Sequence, residues 1–245
     1  MNVFLESTKG FISLVGAGGK KSFMYALSKF VDGRIALSST TRMYNYNETI
    51  VDKIVDITSE EKFQLHYSDR VVAFQKESSK QGRVEGLLDA ELNSVWLSKK
   101  FKFLVCKADG ARARLIKCPN DDEPIIPTSC DLVVPIVSIK ALGEKLTPQI
   151  AHRVDKLCEL WRESSGCLIT KDHIVSLMVS ENGFLKNAEG YKILPLINMA
   201  DSSKELEDAI EIAEMVLAAT DRFDKIVIGS MLEGNVKKVV CRKLT

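Results

Sequence analysis

The amino-acid sequence predicts an α/β fold, a three-layer domain whose mainly parallel sheet carries helices on both faces. Two observations predict it. Short, continuously apolar runs alternate with stretches of helical periodicity from end to end, as strands buried on both faces and their crossover helices do. No linker rich in Gly, Ser or Pro, no low-complexity tract and no internal repeat interrupts the chain, so residues 1–245 read as one domain.

The elements follow in order. Phe11 to Val15 is an apolar run entering a glycine turn, and so a buried strand. Ser22 to Val31 places Phe23, Ala26, Leu27 and Phe30 at helical spacing. Arg34 to Leu37 is a second strand, ending in the hydroxyl cluster Ser38 to Thr41. Arg70 to Phe74 is a strand. Asp89 to Lys100 has the helical stripe Leu92, Val95, Trp96 and Lys99, and Phe101 to Cys106 is the strand after it. Pro119 to Pro127 is the most loop-like segment and reads as a surface excursion. Asp131 to Val137 is β-branched. Thr147-Pro148 combines a hydroxyl cap with a proline at the first helical position, so a helix is expected from there, with Ile150, Val154, Leu157 and Trp161 inward. Tyr191 to Ile197 is a strand. Ser202-x-x-Glu205 is a capping box opening a long helix that buries Leu206, Ala209, Ile210, Ala213 and Leu217. Lys225 to Ile228 and Val236 to Val240 are the closing strands.

Composition limits the function classes. Lys and Arg number 34 against 33 Asp and Glu, so there is no basic excess for sequence-blind nucleic-acid binding. No run reaches the roughly 18 apolar residues of a membrane span. Glu6 and Lys9 interrupt the start of the chain, unlike a secretion signal. A cytoplasmic protein with no membrane or nucleic-acid partner is expected. The six cysteines contain no C-x-x-C pair and read as free thiols. Three scattered histidines make no metal site.

The chemistry concentrates in Gly16-Ala17-Gly18-Gly19-Lys20-Lys21-Ser22, between a predicted strand and a predicted helix. Glycines let backbone amides curl around phosphate oxygens, and a helix N-terminus adds its positive end. Lys20 would neutralise the outer phosphates and Ser22 would help to hold Mg²⁺. Only two residues separate Gly16 from Gly19, a shorter loop than G-x-x-x-x-G-K-[ST], and Lys21 stands where the metal-binding hydroxyl is usual. The same loop also reads as a dinucleotide fingerprint. Its third glycine falls on Lys21 and no acid ends the second strand, but Arg42 and the nearby hydroxyls could grip the 2′-phosphate of NADP.

The run Phe101 to Arg112 delivers Asp109 from a buried strand end toward that loop, where it would hold Mg²⁺ directly or through water. Thr40 or Thr41 would complete the metal shell, and Arg112 and Arg114 could touch phosphates. Lys20 and Asp109 are therefore the expected catalytic pair. Gly16 to Ser22, Ser38 to Arg42 and Asp109 to Arg112 should line one electropositive cleft, with Lys20, Lys21, Arg42, Arg112 and Arg114 converging on it.

VGAGGK, the hydroxyl-rich TTR, ADGAR followed by KCPNDDEPIIP, His152-Arg153 and INMAD together resemble the YqeC family, over about Phe11 to Val240. That resemblance implies a P-loop-like nucleotide-binding core and an accessory role toward selenium-dependent molybdenum hydroxylases. Lys107 stands where the family commonly has an acid, and Lys21 where it commonly has Thr or Ser.

His152 and Arg153 are expected at the start of a helix on the rim of the cleft, as phosphate or substrate contacts. Asn198-Met199-Ala200-Asp201 is similar to the N-K-x-D base-recognition turn. Asn198 would orient the loop and Asp201 would accept from guanine, while Asp201 and Ser202 could equally cap the next helix. The resulting expectation is a Mg²⁺-dependent ATP- or GTP-binding NTPase or phosphotransferase. It would serve maturation of a molybdenum hydroxylase or its cofactor. The alternatives are a non-catalytic carrier of a nucleotide-bearing cofactor, such as a molybdopterin dinucleotide, and an NADP-binding Rossmann-like protein.

Overall fold

The computed structural model describes residues 1–6, 9–59 and 63–242. Its strands are β1 (Gly10–Gly16), β2 (Ile35–Ser39), β3 (Met43–Tyr44), β4 (Lys53–Asp56), β5 (Val71–Glu77), β6 (Arg83–Glu85), β7 (Phe103–Lys107), β8 (Ile116–Lys117), β9 (Leu132–Ser138), β10 (Ala151–His152), β11 (Lys192–Ile193), β12 (Leu196–Asn198), β13 (Lys225–Ser230) and β14 (Asn235–Cys241). The α-helices are α1 (Lys20–Ser28), α2 (Asp89–Leu97), α3 (Val154–Trp161), α4 (Lys171–Val179) and α5 (Ser203–Ala219). The main sheet runs β14-β13-β12-β9-β1-β7-β2-β5-β6-β3, with β4 beside β5 and β11 beside β9. From β13 to β5 the ladders are parallel. The antiparallel pairs lie at the edges.

Period-two alternation divides the strand residues between two layers. Ile12, Leu14, Ile35, Leu37, Val105 and Ile136 pack with Phe23, Met24 and Leu27 of α1. The opposite side of the same strands gives Phe11, Ala36, Leu104 and Cys106 to Leu92 and Val95 of α2. Further along that face, Val137, Ile197 and Ile228 meet Ala209, Ile212, Ala213 and Val216 of α5. Full burial of each large apolar side chain contributes about 1.5–3 kcal/mol, so both layers are needed to hold the sheet. The expected three-layer α/β architecture is present.

The path of the chain sets the position of the site. It leaves β1 for β2 and β5, returns to insert β7 between β1 and β2, and then crosses to β9, β12 and β13 on the other side. Winding thus reverses beside β1, and open sheets of this type gather ligands outside the carboxyl ends of the strands at such a reversal.

Three sequence expectations need correction. The signals at Thr147-Pro148 produce one turn, in which the Ile150 and Ala151 amides donate to the Thr147 carbonyl. The chain then pairs Ala151 and His152 with Ile116 and Lys117, so α3 begins at Val154, after Arg153 at φ 62°. A tertiary ladder has overridden a local helix preference. Tyr191 to Ile197 is not one strand: β11 and β12 are separated by Leu194-Pro195, because proline cannot donate to a ladder. The segment from 119 to 127 is not purely superficial. Pro119, Glu123, Pro124 and Pro127 are buried in it.

Candidate functional site

The glycine loop leaves β1 at the reversal point and turns directly into α1. Gly16 lies at φ 86°, and a Cβ there would stand 2.3 Å from the Ile136 carbonyl oxygen on β9. Gly19, at φ 118°, would place a Cβ 2.3 Å from Asn198 Nδ2. These two positions need glycine both for conformation and for the close approach of neighbouring strands. The loop is then tied down. The Ala17 amide donates to the Ile136 carbonyl and the Gly18 amide to the Arg114 carbonyl. Asn198 Nδ2 donates to the Gly18 carbonyl at 2.7 Å, while Asn198 Oδ1 accepts from the Met231 amide at 2.9 Å. The first helical hydrogen bond is Phe23 N–H to the Gly19 carbonyl. The amides of Lys20, Lys21 and Ser22 precede it, in the first turn of a helix, where N–H groups lack intrahelical acceptors and attract anions.

Behind the loop stands a buried charge network. Lys20 Nζ lies 2.7 Å from Asp109 Oδ1 and also donates to the Gly16 carbonyl. Asp109 Oδ2 accepts from the Gly16 amide at 2.8 Å and lies 3.0 Å from Lys117 Nζ. Lys117 donates in turn to Glu123 Oε2 at 2.6 Å and to the Gly110 carbonyl at 2.7 Å. Arg153 Nη1 reaches the same Glu123 oxygen at 2.7 Å. Lys20 is 4%, Asp109 1% and Lys117 1% exposed. Burial alone would raise the Asp109 carboxyl, but Lys20 and Lys117 outweigh it and hold the group below its ordinary value. Burial pulls Lys20 down against the attraction of Asp109. Lys107 ends β7 in register with Ser39 and Leu14, and its Nζ donates to Thr41 Oγ1 at 3.1 Å. Burial, assisted by the charge of Lys20, lowers its amine to about 8.

The predicted residues divide into groups. Lys20, Asp109, Thr40 and Thr41 gather at the ends of β1, β2 and β7, and the Thr40 amide bonds to the Lys107 carbonyl. Lys21 does not converge on them: it donates to the carbonyls of Tyr44 at 3.1 Å and of Asn45. Arg42 also departs from the expected cluster and pairs with Glu85 at 2.6 Å. Arg114 meets the loop through its backbone carbonyl, which accepts from the Gly18 amide. Arg112 is exposed, at φ 48°. His152 is not helical; it sits in β10 opposite Lys117. Burial, and then Arg153, Lys117 and Arg112, lower its imidazole to about 4. Asp201 pairs with Lys140 at 2.6 Å, and Ser202 is the residue that caps α5, accepting from the Glu205 amide. Lys117 and Glu123 were not singled out from the sequence. Their signal lies in KCPNDDEPIIP, where a lysine and an acid flank prolines, but no periodicity marks it.

Among the described residues, no three or more His, Cys, Asp or Glu side chains are grouped to hold a metal, and no helix is long and apolar enough to cross a membrane. A cavity of about 290 Å³ lies beside Cys118, Pro119, Lys156 and Asn182 and includes no residue of the glycine loop. The loop is closed over Lys20, and the chemistry argues for it over that cavity.

The profile of the YqeC protein family matches residues 12–155, which include the glycine loop, the Lys20–Asp109 pair and Arg153. The chain belongs to the YqeC family. The uncharacterized protein YqeC of Escherichia coli (strain K12) is 23% identical over 218 residues, covering 84% of this chain and 80% of that relative. Among solved structures, HypB from Helicobacter pylori in complex with nickel aligns with 95% of this chain and 84% of its own, at 9% identity and a TM-score of 0.43.

Proposed function

We propose that this YqeC-family chain binds the phosphate chain of ATP or GTP at Gly16–Ser22 and transfers or hydrolyses the terminal phosphoryl group. One observation carries the reading: Lys20, at the start of a helix whose first amides are free for an anion, is paired with Asp109 at the point where the sheet reverses its winding. Lys20 would exchange Asp109 for the outer phosphates and stabilise charge developing there. The donor set fits a magnesium ion. Thr40 Oγ1 is buried without a hydrogen-bond partner, Asp109 Oδ1 would be freed as Lys20 turns to the phosphates, and Mg²⁺ takes one or two carboxylates together with phosphates and water. Asp109, Thr40 and Ser22 would hold it, and it would supply charge neutralisation across the outer phosphates. Family membership supports an accessory role in maturing a selenium-dependent molybdenum hydroxylase or its cofactor.

A second reading, a carrier of a nucleotide-bearing cofactor, is favoured by Lys21. It stands beside Lys20 where a hydroxyl would serve the metal, and it is engaged with the carbonyls of Tyr44 and Asn45. The NADP reading is weakened by Arg42, whose guanidinium is engaged by Glu85.

Calorimetric titration with ATP and with GTP, with and without Mg²⁺, tests the proposal. Lys20→Ala should cost about 1.5–3 kcal/mol, roughly 10- to 150-fold in affinity. No binding by the wild-type protein, or equal binding by Lys20→Ala, refutes it. Steady phosphate release that is lost in Asp109→Asn separates the enzyme from the carrier.

A further inference from the structure

We propose that Lys117 is a positioning residue that lets Lys20 leave Asp109 for the ligand. The inference rests on the nucleotide-binding reading above. Five buried or half-buried groups form one chain of contacts: Lys20, Asp109, Lys117, Glu123 and Arg153. Three are cations and two are carboxylates. Without Lys20, the remaining four balance, Lys117 and Arg153 against Asp109 and Glu123. Removing any one of the three cations would leave two against two, and Lys20 is the one that heads the helix of the glycine loop.

The geometry assigns the two oxygens of Asp109 to different tasks. Oδ2 is held by the Gly16 amide at 2.8 Å and by Lys117 at 3.0 Å. Oδ1 is the oxygen in ionic contact with Lys20, at 2.7 Å. Lys117 cannot drift away, because its ammonium also bonds Glu123 and the Gly110 carbonyl and is 1% exposed. When Lys20 turns to a phosphate, Asp109 keeps a counterion. Were Lys117 absent, the same movement would strand a buried carboxylate, an arrangement proteins strongly disfavour. Asp109 would then trap Lys20 and the phosphate chain would lose its main cation.

The test is titration with N-methylanthraniloyl-ATP and -GTP in EDTA, so that metal does not enter the comparison, with melting temperature followed in parallel. Lys117→Met should weaken binding by about tenfold or more, and Lys117→Arg should recover part of it. The discriminating variant is the double substitution Lys117→Met/Asp109→Asn. With no carboxylate to trap Lys20, it should return to within about threefold of wild type, a non-additive rescue that general structural damage does not produce. If Lys117→Met does not fold, Glu123→Gln, which removes one anchor of Lys117, decides: affinity should fall several-fold and recover when Asp109→Asn is added, and unchanged affinity overturns the inference. Equal binding by Lys117→Met and wild type, or a folded double variant as weak as Lys117→Met, also overturns it while leaving the nucleotide reading intact. A wild type that binds neither probe, in EDTA or with Mg²⁺ restored, overturns both.

Discussion

Replacing Asn198 with alanine should cost far more than its place in a three-residue strand suggests. Asn198 is 1% exposed and its amide joins the glycine loop to the segment that follows β13. Its Nδ2 donates to the Gly18 carbonyl at 2.7 Å and its Oδ1 accepts from the Met231 amide at 2.9 Å. Alanine leaves one buried carbonyl and one buried amide without partners. At about 1–3 kcal/mol for each orphaned group, the expected loss is about 2–6 kcal/mol. For a chain of this size that is a fall in melting temperature of roughly 4–24 °C. Urea denaturation measures it, with an unchanged m-value showing that the unfolded state is unaffected. The loop provides an internal control. Gly19→Ala brings a Cβ within 2.3 Å of Asn198 Nδ2, so part of its cost should vanish in the Asn198→Ala background while the positive-φ strain remains. A loss below about 1 kcal/mol for Asn198→Ala would refute the reasoning, as would strict additivity of the two substitutions.

Two further outcomes follow from groups outside the loop. His152 titrates near 4 in the folded chain against about 6.5 when unfolded, so the unfolded state binds more protons between those values. Its neutral ring therefore contributes stability that is present above about pH 6.5 and lost as pH falls toward 4. His152→Gln should flatten that limb of the stability curve, and an imidazole NMR titration with a midpoint near 6.5 would contradict the assignment. Ser202→Ala removes the acceptor for the Glu205 amide at the head of α5 and should lower stability by about 1 kcal/mol, with Ser202→Gly costing only a few tenths; chemical denaturation reads both, and equal losses would count against the cap.

What was legible in the sequence was local. An apolar run, three glycines, a lysine and a helical stripe lie within one stretch of chain, so the loop and α1 could be read directly. Asp109 was legible because a strand end followed by Asp-Gly marks an edge where side chains meet ligands. The network behind them was not. Lys117 lies in a two-residue strand whose partner is another two-residue strand, too short for any periodicity. Glu123 comes from a segment whose prolines suggested the surface. Lys21 and Arg42 were placed with the site on charge alone, but sequence does not say which carbonyl or carboxylate a long side chain will find. The failed helix start at Thr147 has the same origin: cap and proline describe local preference, while β8, a distant segment, supplied the ladder that won.

The insertion of β7 between β1 and β2 has a consequence for biosynthesis. The two ladder partners of β1 begin at Phe103 and Leu132, so the strand leading into the glycine loop emerges from the ribosome with neither neighbour yet made. At about 5–20 residues per second, the wait is on the order of ten seconds. During it both edges of β1 lack their native partner strands. Parallel pairings across such separations are slow to close and open to aggregation. The nascent chain should therefore be a customer for chaperones until β9 has cleared the exit tunnel, and production truncated before Leu132 should yield insoluble protein.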